Sequence, residues 1–307
     1  MTAHFPKKPT PLIELHDSVF ERRQIRVWIK RDDLNHPLIQ GNKWHKLKYN
    51  LQAAQKQGKS TLLTFGGAYS NHIAATAYAA KRYGFKSLGM IRGDELAGKP
   101  ERWSPTLKTA HQNGMQLEFL SRQSYRLKAS SDFLDELKQQ HPDAYILPEG
   151  GSNDLAIKGF EPLMQELEQQ SPNWTHLLTA TGTGGTLAGL IKYAKNHPDD
   201  STTRLIQGVA VLKQGEALLP QIRQWIDHKS AVKWQLLTQY HDGGYAKLSN
   251  PLHILKSQFE SQHQIPLDPV YTIKMIHAFY QQVEQGAFPS GSQIILLHTG
   301  GLQGNAT

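Results

Sequence analysis

The sequence predicts an α/β protein built on mostly parallel sheets with helices on both faces. Three observations predict it. Short apolar runs recur along the 307 residues with amphipathic segments between them, an alternation that favours parallel strands joined by helical crossovers. Glycine-rich turns follow several of those runs, at Gly66-Gly67, Gly150-Gly151, Gly182 to Gly185 and Gly300-Gly301. Charged residues make up 20% and apolar residues 38%, a balance that excludes disordered and fibrous chains and allows a large buried core.

The elements follow in order. Ile25, Val27 and Ile29 alternate with Arg26 and Trp28, which reads as a strand ended by Lys30-Arg31-Asp32-Asp33. Asn42 is suited to cap a helix whose apolar positions Trp44, Leu47, Leu51 and Ala54 share one face, with Gly58 closing it. Lys43 then falls in the first helical turn. Thr61 to Phe65 is a buried strand, followed by an alanine-rich helix ending near Gly84; Phe85 to Ile91 and Met115 to Leu120 are strands around a helix at Thr106 to Asn113. Asp132 to Gln140 is a helix, Tyr145 to Leu147 a strand and Ala156 to Gln170 a helix. The strand His176 to Ala180 runs into the helix Leu187 to Lys195; strands at Leu205 to Val211, Val232 to Leu237 and Ile294 to Leu297 alternate with helices near Glu216 to Trp225, His253 to Gln262 and Thr272 to Gln285. In parallel sheets ligands bind beyond the carboxyl ends of the strands, so the loops after Phe65, Leu147, Ala180 and Leu297 are expected on one rim.

Composition removes several kinds of chemistry. The chain has no cysteine, which excludes disulfides, thiolate nucleophiles and Cys-ligated zinc. Its fifteen histidines form no His-Glu-x-x-His pattern, so no metal site is expected. The 34 Lys+Arg against 26 Asp+Glu give +8, but the basic residues are scattered and form no basic helix or basic-aromatic ladder. Small anionic ligands therefore fit that charge better than nucleic acid. The N-terminal residues lack an apolar core of signal-peptide length and no run approaches the roughly 20 apolar residues of a membrane span. No membrane association is expected, and a cytoplasmic location is.

Four motifs carry candidate chemistry. Thr181-Gly182-Thr183-Gly184-Gly185-Thr186 joins a strand to a helix start, where glycines let backbone N–H groups converge on a phosphate and threonine hydroxyls add donors. An unliganded βα turn is the alternative. The dinucleotide fingerprint would need a glycine where Leu187 stands, so a simple phosphate cup is the better reading. Gly93 to Lys99 resembles a nucleotide P-loop until Pro100 replaces the Ser or Thr that would hold magnesium; it reads as a surface loop. Ser70-Asn71-His72 opens the alanine-rich helix, either as a cap or as a carboxylate-binding site; the glycines of a hydrolase nucleophile elbow are absent, with Ala68 and His72 in their places. Lys43 follows Gly41-Asn42. Set near the positive end of a helix and near Lys46, its amine would lose its proton more readily, as an imine-forming lysine requires. Tyr245, after Gly243-Gly244, and Tyr271, after Asp268-Pro269-Val270, flank turns, and Thr299 follows the last apolar strand.

Taken in order, Arg31-Asp32-Asp33-Leu34, Gly41-Asn42-Lys43, Ser70-Asn71-His72, Gly182 to Thr186, Tyr245, Asp268-Pro269-Val270-Tyr271 and His298-Thr299-Gly300-Gly301 resemble the fold type II pyridoxal-phosphate enzymes over nearly the whole chain. More narrowly they resemble the family of D-cysteine desulfhydrase and 1-aminocyclopropane-1-carboxylate deaminase. The resemblance implies a tryptophan synthase β-like fold of two domains, each a mostly parallel sheet flanked by helices. Residues 1-45 and 157-307 would form the larger, cofactor-binding domain, and 46-156 a smaller inserted one. It implies pyridoxal 5'-phosphate as cofactor, with Lys43 as the imine lysine and base at Cα, Asn71 at the ring 3-hydroxyl, and Gly182, Thr183, Gly184, Gly185 and Thr186 at the phosphate. Thr299 would meet the pyridine nitrogen. Ser70, Asn71 and His72 would hold a small amino-acid substrate, and Ser70, Tyr245 and Tyr271 would act with Lys43 in catalysis.

Thr272, Thr299 and His72 match the desulfhydrase side of the family, which implies β-elimination from D-cysteine to pyruvate, ammonia and sulfide. The alternative is deamination of the cyclopropane acid to 2-oxobutanoate and ammonia. From another class, the scaffold could bind pyridoxal phosphate or an amino acid without turnover. Ala68-Tyr69 and Trp44-His45 depart from the family's usual residues, and these changes bear on the substrate's side chain. The family also implies a homodimer.

Overall fold

The computed structural model describes residues 9–196, 204–227 and 230–305; most of the N-terminal stretch read for a signal peptide, residues 1–8, lies outside them. Along the chain the strands are β1 Leu12–Leu15, β2 Arg26–Lys30, β3 Thr61–Gly67, β4 Lys86–Arg92, β5 Met115–Leu120, β6 Ala144–Leu147, β7 His176–Thr181, β8 Leu205–Ala210, β9 Lys233–Leu237 and β10 Gln293–Leu297. They form two sheets, one in the order β1-β2-β10-β7-β8-β9 and one in the order β5-β4-β3-β6. Every described pairing is parallel except that of β1 with β2. The expected α/β architecture is therefore present, with two mostly parallel sheets flanked by helices.

The reason lies in the strand residues. Ile294, Ile295, Leu296 and Leu297 of β10 are all fully buried. Ile294 and Leu296 pack with Val27, Leu178 and Val209 beneath the helix Thr272–Glu284. Ile295 and Leu297 pack on the opposite face with Leu177, Leu187 and Phe160. A strand covered on both faces reads as an unbroken apolar run, as the sequence showed. In the smaller sheet the alanines of the helix Asn71–Tyr83 allow close packing against β3 and β4.

Three expectations are corrected. The helix expected over Ala156 to Gln170 is two helices, Asp154–Lys158 and Glu161–Gln170. Gly159 sits between them, where an added Cβ would overlap the His45 carbonyl, and Pro162 allows the second helix to start but not to continue the first. The helix Asn42–Lys56 has Gly41, not Asn42, at its N-cap, with φ 60°. Near Glu216 a 3-10 turn, Gly215–Leu218, precedes the short helix Leu219–Trp225. The loop at Gly93 to Pro100 lies on the surface as expected, in short 3-10 turns.

Candidate active site

Lys43 is placed by its neighbours. A side chain at Gly41 would run into the carbonyl of Thr299, so the backbone before Lys43 lies directly on the loop after β10. Asn42 N–H donates to that carbonyl at 3.3 Å. The Asn42 side chain does not cap the helix; its amide donates to Thr186 Oγ1 at 2.9 Å and so joins the lysine to the glycine-threonine loop. Lys43 Nζ donates to Asn42 Oδ1 at 2.9 Å and lies 5.9 Å from the Tyr271 ring centroid. Burial lowers the Lys43 pKa to about 8, against the opposing charge of Asp268.

The glycine-threonine loop forms a cup with the turn after β6. Gly184, at φ 81°, is the N-cap of the helix Gly185–Tyr193 and supplies no side-chain cap, which leaves the first helical N–H groups free for a ligand. Thr183 Oγ1 and Ser152 Oγ are 2.7 Å apart. A Cβ at Gly150 would stand 2.7 Å from Thr183 Oγ1, and one at Gly185 2.5 Å from Ser152 Oγ, so side chains there would fill the cup. Lys46 Nζ enters it, donating to the Gly150 carbonyl at 3.0 Å and to Ser152 Oγ at 2.9 Å. Burial, then the charge of Lys43, pushes its pKa far below the usual lysine value. A buried and a half-buried amine, both held by neutral acceptors beside a helix N-terminus, form a site short of an anion, which a phosphate monoester would complete.

Ser70 occupies the N-cap position of the helix Asn71–Tyr83, yet its hydroxyl makes no capping bond. Asn71 Nδ2 donates to Asp268 Oδ2 at 3.3 Å, and a side chain at Gly301 would overlap this pair. Asp268 is fully buried; its other oxygen accepts from the backbone N–H groups of Val270, Tyr271 and Thr272. Burial raises its pKa and these bonds oppose the rise. Tyr271 is thereby fixed at the start of the helix Thr272–Glu284, edge-on to Tyr245 with ring centroids 6.2 Å apart. Burial pushes the Tyr245 hydroxyl up to about 12 and that of Tyr271 far above its usual value. The His72 ring is engaged by Thr64 Oγ1 at 2.8 Å and by Thr76. Burial and the two lysines keep that ring neutral.

These groups surround one cavity of about 700 Å³. Lys43, Ser70, His72, Gly182, Thr183, Gly184, Thr186, Tyr245 and Tyr271 line it. Asn71, Gly185 and Thr299 stand immediately behind its surface, next to Ser70, Lys46 and Asn42 respectively. The loops after β3, β6 and β7 thus share one rim as expected, and the loop after β10 supports Lys43 from behind. Sequence reasoning gave Lys46 only an electrostatic part and missed Ser152 and Asp268. Lys46, one helical turn after Lys43, was the available signal. No group of three His, Asp or Glu side chains suited to a metal occurs among the described residues. No helix among them is long and apolar enough to cross a membrane.

The chain is 29% identical over 313 residues to a Thermotoga maritima protein provisionally named 1-aminocyclopropane-1-carboxylate deaminase, spanning 97% of this chain and 95% of that one. It is 27% identical to an Arabidopsis thaliana protein named bifunctional D-cysteine desulfhydrase/1-aminocyclopropane-1-carboxylate deaminase, over 91% of this chain and 73% of that one. A crystal structure described as an ACC deaminase homologue superposes with a TM-score of 0.80 at 28% identity, covering 99% of this chain and 94% of the other. The family described as pyridoxal-phosphate dependent enzyme matches residues 5–300. The cup, with Lys46 and the free helix N-terminus, fits the phosphate of that cofactor, and the chain belongs to the family of pyridoxal-phosphate dependent enzymes.

Proposed function

We propose that the protein is a lyase that converts D-cysteine and water to pyruvate, ammonia and sulfide. The observation that carries this reading is the half-buried Lys43 amine, with its pKa lowered to about 8, set between an anion cup and the paired Tyr245 and Tyr271. Pyridoxal phosphate, when bound, supplies an electron sink for the bonds at an amino acid's Cα. Gly182 to Thr186, Ser152 and Lys46 would hold its phosphate, and the family resemblance would put Asn71 at its ring 3-hydroxyl and Thr299 at its ring nitrogen. Ser70, whose hydroxyl is not spent on capping, holds the substrate carboxylate together with the N–H groups of Asn71 and His72. Lys43 Nζ takes the proton from Cα. Tyr271 and Tyr245, both protonated at neutral pH, face Cβ, where a hydroxyl can give a proton to the departing sulfur.

The preference for elimination is supported by Thr272, which follows Tyr271 with a buried hydroxyl and matches the desulfhydrase side of the family resemblance. The second reading, hydrolysis of the cyclopropane acid to 2-oxobutanoate and ammonia, is supported by the names of the Thermotoga and Arabidopsis relatives. We also assign residues 46-156 to a smaller unit inserted in a larger one, and expect a cytoplasmic homodimer; light scattering that gave the mass of one chain would remove the dimer.

The purified protein is expected to show a near-visible absorbance band that Lys43→Ala abolishes. No band, even after adding pyridoxal phosphate, would overturn the reading. Pyruvate formation from D-cysteine, compared with 2-oxobutanoate formation from the cyclopropane acid, separates the two reactions; turnover of neither would leave a binding role.

A further inference from the structure

Five cationic side chains line the cavity, Lys43, Lys46, Arg92, Lys128 and Lys138, against one carboxylate, Glu149. Most of this charge is already matched. Glu149 is held by Lys128 at 3.3 Å and by the Tyr125 hydroxyl at 2.7 Å. Lys138 pairs with Asp135 at 2.8 Å. Lys43 and Lys46 belong to the cofactor end. Arg92, at the carboxyl end of β4, forms no ion pair with a carboxylate among the described residues. Its guanidinium instead lies 5.9 Å from the Tyr125 ring centroid, and its Nη2 would be 3.5 Å from a Cβ at Gly67. Gly67 begins the turn that presents Ser70, whose N–H donates to the Gly67 carbonyl at 3.0 Å. Arg92 also acts on the Tyr245 hydroxyl through its charge.

We infer that Arg92 is a specificity-determining residue for substrates bearing a second anionic group, a carboxylate or sulfonate, beyond Cβ. A guanidinium offers a fixed pair of donors to such a group, and Arg92 is the cavity cation left without an anion once the cofactor phosphate and the α-carboxylate are bound. Arg92 stands on the Ser70 turn, while Tyr245 and Tyr271 line the same cavity. An amino acid bound by Ser70 would therefore have its side chain between Arg92 and the tyrosines. The α-carboxylate is assigned to Ser70 and the helix start, which leaves the guanidinium for the side chain. This inference rests on the cavity being an amino-acid site, as proposed above.

Titration calorimetry of the holoprotein with both enantiomers of aspartate and cysteate, against both enantiomers of asparagine as the neutral match, tests it. The acidic ligands of one hand are expected to bind about tenfold or more tightly than asparagine of that hand. Arg92→Gln is expected to bring that ratio to within about twofold, and Arg92→Lys to retain more of it than Gln does. Absence of an acidic preference in the unaltered protein, or a preference unchanged in Arg92→Gln, would overturn the inference. Because the heat of binding is read directly, the two readings fail separately. Failure of every amino acid, acidic or neutral, to bind removes the amino-acid site on which the inference rests, whereas asparagine binding without an acidic preference removes only Arg92's assignment.

Discussion

Lys43, half-buried, and Lys46, buried, stand one helical turn apart, and in the proposed reading their environments divide the work of one cofactor between them. Lys46 is tied to Gly150 and Ser152 and has nowhere to move, whereas Lys43 is held only by its neighbour Asn42. An amine attacks only when unprotonated, so the rate at which cofactor-stripped protein takes up pyridoxal phosphate should rise with pH and level off above about 8, the pKa to which burial lowers Lys43. Stopped-flow absorbance checks it, and a rate that went on rising about tenfold per pH unit from pH 8 to 10 would show an ordinary lysine pKa and remove the lowered one from the account. Lys46→Met keeps the length of the side chain and loses its charge. A charge-assisted hydrogen bond contributes about 1.5–3 kcal/mol, so cofactor affinity should fall by about ten- to hundredfold, measured by equilibrium dialysis.

Among the elements, the helix Thr272–Glu284 governs both tyrosines. Tyr271 is at its start and Lys274 is in its first turn; Lys274 is fully buried and its Nζ donates to the Gly244 carbonyl at 2.6 Å, directly before Tyr245. Lys274→Met should free the Tyr245 loop and cut turnover on the order of tenfold without lowering thermal stability, since a buried charge is replaced by an apolar chain of similar length. A fall in melting temperature with unchanged turnover would contradict it. Gly41→Ala should instead cost stability, about 1–3 kcal/mol by denaturant titration, because φ is positive there and the Thr299 carbonyl occupies the added carbon's place.

The sequence made the local part of this site legible. Gly182 to Thr186, Gly41-Asn42-Lys43 and Ser70-Asn71 are short runs whose chemistry is carried by adjacent residues. It hid what depends on distant contact. Asn42 looked like a helix cap because the partner that claims its side chain, Thr186, is 144 residues away in sequence. Asp268 looked like part of a turn because the need of Asn71 for a partner becomes visible only when the two sheets are in place. Arg92 stood unnoticed at the end of β4, directly before a loop whose glycines and lysine imitated a phosphate motif. The break at Gly159 was invisible because its cause, the His45 backbone, lies in another helix.

At the scale of the whole molecule, both sheets contribute walls to one cavity: Ser70, Arg92 and Glu149 come from the ends of strands of the smaller or the loops after them, and Thr181 to Gly184, Thr186 and Tyr271 belong with the larger. A ligand bound there links the two. Cofactor at about a hundred times its Kd should stabilise the folded protein by about 2.7 kcal/mol, read as a rise in melting temperature. The same addition should slow proteolysis in both halves of the chain; protection of one half alone would place the ligand on one sheet only.

The place of β10 in the larger sheet has a consequence for how the protein is made. Of the described strands it is the last to be made, yet it inserts between β2 and β7 in the middle of the sheet, and the loop that follows it is the surface on which Gly41 and Asn42 rest. A nascent chain ending before Gln293 carries Lys43, the cup and both tyrosines, but has a gap where the sheet should join. Lys43, translated before β10, is thus brought into position only after that strand has been made, so a chain cut short before it would carry the residues of the site unassembled.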